Sequence, residues 1–190
     1  MKSLKQDNIQ HLSATLTRTR VADLVHSQEF SPEELFELTF HPDLTIGFRA
    51  AWILEYTAAH AAENFEEILE AFLSAFPKQK NLSAQRHFSN IILRLLEKKA
   101  PEGYKIRMEA LSEAQKEELV AALFDWLILP KTPVAVKANC LDALAYFCGD
   151  FDWIQEELEQ QIDQHHHSGS PALIARGKMV QRRLYRYRKD

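Results

Sequence analysis

The sequence predicts an all-α fold, an α-α superhelix of about four antiparallel helix pairs preceded by an N-terminal helix within residues 7–26. Three observations carry this expectation. Apolar residues recur at helical spacing, a short pattern repeats along the chain, and glycine is scarce. Only 5 of 190 residues are Gly, too few for the turns of a β-sandwich or the phosphate loops of a nucleotide-binding α/β fold. Apolar residues make up 46%, enough to bury a core and to argue against disorder. The length suits one domain over residues 1–190.

The periodicity is explicit in each element. Phe65, Ile68, Leu69, Phe72, Leu73 and Phe76 share one helical face, as do Phe88, Ile91, Ile92, Leu95 and Leu96. Leu119, Ala122, Leu123, Trp126 and Leu127 form a third stripe, and Val136, Cys140, Leu141, Leu144, Phe147 and Cys148 a fourth. Steps of three and four residues mark amphipathic helices, not alternating strands.

The repeat is a Glu-Glu-aliphatic triplet at Glu33, Glu66, Glu117 and Glu156, each followed by a basic residue in a second helical pattern: Arg49, Arg86, Lys137 and Arg176. From the second Glu to the basic residue the offset is 15, then 19 three times. The triplets recur at steps of 33, 51 and 39 residues, the range of two-helix repeats. The long step points to an insertion in 98–111, where Pro101 and Gly103 predict a loop. Helix pairs are expected near 31–60, 63–98, 112–148 and 152–187.

End signals agree with that partition. Ser31 and Pro32 precede first-turn acids, Ser112 with Gln115 and Asn64 with Glu67 have capping-box spacing, and Pro42, Pro77, Pro130, Pro133 and Pro171 punctuate the joints. The Glu pairs themselves read as helix surface near the positive helix end. Neighbours on a helix point about 100° apart, so they do not form an acid–base pair.

The net charge of −4 is uneven: residues 176–190 carry seven Lys or Arg and one acid, a balance of +6, against −10 elsewhere. Cys140 and Cys148, on one helix, would stand about 12 Å apart, beyond disulfide reach of roughly 7 Å. A reducing, cytoplasmic setting follows as an expectation. The N-terminal residues have no apolar run of the signal-peptide kind, and the apolar run from Leu119 is interrupted by Asp125, so no membrane partner is expected.

The second-helix segments FRAAWIL, from Phe48, and VKANCL, from Val136, resemble the second helix of HEAT repeats, within the HEAT/armadillo-like solenoids. Asp43 lies six residues before Arg49, as in the HEAT Asp–Arg ladder, whereas the equivalent later positions are Lys80, Lys131 and Ser170. Across most of the chain the segments AAWILEY, FDWLI, VAVKANCLDALAYF and FDWIQEEL resemble a family of short bacterial helical-repeat proteins, some labelled adenylosuccinate lyase. That lyase superfamily uses a loop resembling Ser-Ser-x-Met-Pro-x-Lys. No Ser-x-Met-Pro occurs here, so the resemblance implies no active-site residue.

No catalytic, cofactor or metal site is expected. His165, His166 and His167 are expected on a polar loop, where three consecutive imidazoles do not converge on one ion. His41, His60 and His87 are isolated, with helix-end or packing roles. Trp52, Trp126 and Trp153 read as core aromatics. HEAT-like DNA glycosylases place Trp, Asp and Arg on a concave face. Phe124-Asp125-Trp126 and Phe151-Asp152-Trp153 share those residue types but fall in or near first helices.

The candidate binding residues are Arg49, Arg86, Lys137 and Arg176, which stacked repeats would align in a row, with Arg182, Arg183, Arg186 and Arg188 on the basic last helix. The alternative for the row is inter-helix ion pairs or turn caps. The function expected is non-catalytic binding of a protein partner by the repeat surface, with nucleic-acid binding as the alternative.

Overall fold

A computed structural model describes residues 9, 12, 15–168 and 170–187, and among these there is no β-strand. The chain divides into two compact units that meet in sequence between Ala110 and Leu111.

The first unit contains α1 (Arg18–His26), α2 (Pro32–Leu38), α3 (Leu44–His60), α4 (Ala62–Glu66), α5 (Leu69–Ala75), a 3-10 turn (Phe76–Lys78), α6 (Leu82–Leu96) and α7 (Glu102–Glu109). The expected N-terminal helix is represented by α1, which starts where the Thr17 hydroxyl accepts the Arg20 N–H. It stops in a Schellman arrangement: Glu29 N–H reaches the Leu24 carbonyl and Gln28 N–H the Val25 carbonyl. Gln28 there adopts φ 51°, the left-handed conformation that usually selects Gly.

Helix α3 is the spine of this unit, with α2 and α1 packed on it and α6 beyond. Its buried residues include Ala50, Ala51, Ile53, Leu54 and Ala58, small or branched side chains that let neighbouring helices approach closely. Asp43 caps it through the Thr45 and Ile46 N–H groups. These bonds hold the Asp43 carboxyl below its usual value.

Three expectations are corrected in this unit. The stripe from Phe65 to Phe76 is broken into α4 and α5 at Glu67 and Ile68, and Phe65, Ile68, Leu69, Phe72 and Phe76 nevertheless all remain buried. Asn64 lies inside α4, whose N-terminus has no side-chain cap, so the Asn64–Glu67 capping box does not form. The expected loop around Pro101 is a helix, α7. Pro101 stands at its N-cap, and Tyr104, wholly buried, donates its hydroxyl to the Ala58 carbonyl at 3.0 Å. Burial raises the Tyr104 pKa well above its usual value.

The HEAT-like ladder is also shifted by one residue. Lys80 is not the equivalent of Asp43; Asn81 is. Asn81 Oδ1 caps α6 through Ser83 and Ala84 N–H, and its Nδ2 donates to the Leu44 carbonyl of the preceding pair at 2.8 Å. Gln79 Nε2 adds a second bond across the same joint, to the Thr39 carbonyl. Gly47 makes room: a Cβ there would lie 3.1 Å from that carbonyl and 3.2 Å from Asn81 Nδ2.

The second unit pairs α8 (Glu113–Ile128) with α9 (Val134–Phe147), and α10 (Asp152–Ser168) with α11 (Pro171–Tyr187). The Ser112–Gln115 capping box forms as expected. Val136, Cys140, Leu141, Leu144, Ile154, Leu158 and Ile162 are fully buried. Lys116 pairs with Asp150. Both cysteines are free thiols; burial raises each, Cys148 to about 11. The His165-His166-His167 run is not a loop but the end of α10. No helix among the described residues is long and apolar enough to cross a membrane.

Candidate functional site

The basic row resolves residue by residue. In the first unit, Arg49 donates its Nη1 to the Leu12 carbonyl at 2.7 Å, so it ties the N-terminal segment to α3. Arg86 stands exposed on α6. In the second unit, Lys137 is turned inward and only 8% exposed. Desolvation lowers its pKa. Arg176 Nη1 pairs with Asp142 Oδ2 at 2.9 Å. Arg183, two turns on, donates to the Asp142 carbonyl at 2.8 Å and lies over the Tyr146 ring at 4.7 Å. Asp142 is raised by burial and lowered by the two arginines. Arg182 is exposed. Arg186 lies in the last turn of α11, and Arg188 lies outside the described residues. Arg49, Arg176 and Arg183 are thus engaged within the protein, and Lys137 is buried. The basic last helix spends two charges holding α11 on α9, because those positions face a neighbouring helix.

A second cluster of side chains lies on α3. Along α3, Phe48, Trp52, Tyr56 and His60 recur every four residues on the face away from Ile53 and Leu54. The rise of about 6 Å per four residues makes a ladder of rings. Tyr56 and His60 rings are 4.2 Å apart, and Phe48 and Trp52 rings 6.3 Å. Trp52, Tyr56, Ala59 and His60 line a groove of about 630 Å³ together with Arg18, Thr19 and Ala22 of α1 and Arg94 of α6.

Glu55 is the carboxylate of that lining. Its Oε2 lies 2.5 Å from His87 Nδ1, and its Oε1 accepts from Asn90 Nδ2 at 3.1 Å. The His87 ring stacks on Trp52 at 6.4 Å and meets Phe48 at 5.2 Å. Thus α6 fixes both the carboxylate and the indole beside it. Rigid aromatics and a pre-oriented acceptor give the groove contact area at little entropy cost.

The sequence misses this site because each residue has a bland local explanation. Trp52 is expected in the core, yet it and Tyr56 are only partly covered. His60 and His87, expected at helix ends or in packing, line or support the groove. Trp126 does join the core at 4% exposure, whereas Trp153 is 50% exposed against Phe124, with ring centroids 5.6 Å apart. The four-residue spacing of Phe48, Trp52, Tyr56 and His60 was the available signal. Among the described residues, no group of three or more His, Cys, Asp or Glu is placed to hold a metal ion.

A family model described as a HEAT repeat domain matches residues 8–184. No curated protein and no solved structure matches the chain.

Proposed function

Because the chain belongs to the HEAT repeat domain family, we propose that it is a protein-interaction module whose docking surface is the aromatic groove of the first unit. HEAT repeats generally serve protein interaction. The observation that carries the reading is the conjunction of an aromatic ladder on α3 with charged side chains from α1 and α6. Aromatic and arginine side chains are the usual anchors of protein interfaces. The alternative of a phosphate-binding row is weakened by the internal engagement of Arg49 and Arg176 and the burial of Lys137, which leave Arg86 as the exposed member.

A photo-crosslinking residue placed at Ala59, in the groove, is compared with one at the exposed Lys131 in the second unit. In lysate of the source cell, the Ala59 probe gives a protein adduct that Tyr56→Ala removes, and the Lys131 probe does not give it. Equal labelling from both positions, or adducts destroyed by nuclease, would count against the reading.

A further inference from the structure

Several arginines are engaged within the protein, whereas two that line the groove are not. Arg49 is spent on a carbonyl, Arg107 on Glu70, and Arg176 and Arg183 on Asp142. Among the described residues, Arg18 and Arg94 have no such partner, although both line one groove. They come from α1 and α6, both of which pack on α3. Arg94 Nε is moreover buried without an acceptor.

Glu55 does not reverse this balance. Both its oxygens are held by His87 and Asn90, and its single charge is outnumbered by the two guanidinium groups of the lining. The floor between them is ring surface, suited to an uncharged side chain.

We propose that the groove binds an acidic peptide segment, with carboxylates at its two ends meeting Arg18 and Arg94 and an aromatic or aliphatic side chain between them on Trp52 and Tyr56. The proposal rests on the docking role of the groove given above. Arginine and carboxylate form strong, directional, charge-assisted bonds. Glu55 supplies the discrimination. A single strand of nucleic acid carries a phosphate on every nucleotide and must pass one near Glu55. A peptide can place an uncharged residue there and donate a backbone N–H to the carboxylate.

The test uses the full chain and fluorescence anisotropy at about 150 mM salt. The probe is a fluorescein-labelled peptide, Ser-Asp-Glu-Phe-Leu-Asp-Glu-Ser. Its controls are the same peptide with Gln or with Lys at the acidic positions, and an oligothymidine of similar length. The acidic peptide binds about tenfold tighter than the Gln version, and the Arg18→Gln/Arg94→Gln double variant loses about tenfold or more. The exposed Lys80→Gln variant binds as the parent, and unchanged circular dichroism melts show that the double variant is folded.

Equal binding of the acidic and Gln peptides, or undiminished binding by the double variant, overturns the acidic assignment. If Tyr56→Ala then still abolishes binding of either peptide, the docking role survives that failure. Oligothymidine binding tighter than the peptide, and lost in the double variant, replaces the peptide by nucleic acid. Absence of binding by every probe overturns the acidic-peptide assignment, and absence of the Ala59 adduct as well removes the docking role with it.

Discussion

Replacing Asn81 tests how one helix pair is fastened to the next. Its side chain does two things at once: Oδ1 caps α6, and Nδ2 donates to the Leu44 carbonyl at the start of α3. Losing an N-cap costs about 1 kcal/mol, and losing a hydrogen bond to a carbonyl about another 1 kcal/mol. Asn81→Ala should therefore destabilise the first unit by about 2 kcal/mol. Asp43→Ala, which removes only a cap, is the reference at about 1 kcal/mol. The difference of about 1 kcal/mol is roughly a fivefold change in the opening equilibrium. Hydrogen–deuterium exchange resolved by peptide reads this locally. Asn81→Ala should speed exchange at the starts of both α3 and α6, and Asp43→Ala mainly at the start of α3. Asn81→Asp keeps the cap, loses the donor and sets a carboxylate against the Leu44 carbonyl, so it should resemble Asn81→Ala in α3 but not in α6. Effects of Asn81→Ala confined to α6 would show that the bond to Leu44 contributes nothing, and the reasoning about the joint would fail.

Gly47→Ala ought to gain up to about 1 kcal/mol from helix propensity, but its Cβ would crowd the Thr39 carbonyl and Asn81 Nδ2. A lower urea midpoint is expected, with a smaller loss when Asn81 is already Ala. Gln28→Gly removes the left-handed strain at the end of α1 and should raise stability by about 1 kcal/mol, read as a higher urea midpoint. Tyr104→Phe deletes the buried bond to the Ala58 carbonyl and should cost about 1 kcal/mol in the same measurement. The Thr45 and Ile46 N–H groups hold the folded pKa of Asp43 below its usual value. Its contribution is present above the unfolded pKa and lost as pH falls through the folded one. Asp43→Asn keeps a cap and should flatten the acid limb of a stability–pH curve below about pH 4.

Helix pairing was legible because it is written in local signals. Ser31, Ser112 and the prolines at 42, 77, 130, 133 and 171 act within a few residues of where they stand. The apolar stripes of α6, α8 and α9 bury the faces that their spacing marks. What failed depended on partners far along the chain. Pro101 and Gly103 look like loop residues, but Tyr104 has a buried carbonyl to reach in α3, and that contact holds α7 as a helix. Counting back from Arg86 put Lys80 at the ladder position, a departure from the pattern, while Asn81 fills that position by geometry, since the cap residue and not the basic residue defines where the helix begins.

The basic residues show the same division more sharply. A repeated Arg or Lys after each Glu pair suggests a common role, but repetition fixes only position along a helix, and each neighbour decides what the charge does. Arg49 finds a carbonyl, Lys137 is enclosed, and Arg176 finds Asp142. The groove arises by the opposite route. Arg18, Trp52, Glu55 and Arg94 share no motif and come from three helices. Within one repeat, Trp52 and Glu55 would be surface residues beside an empty flank. Only when α6 lays His87 and Asn90 against Glu55, and α1 brings Arg18 to the lining, do they form a bounded site. In a helical-repeat protein each pair sees chiefly its neighbours, so the place where consecutive second helices meet is the smallest unit that can hold a ligand. Here that unit spans α1, α3 and α6, and its residues became recognisable only after those helices were in register.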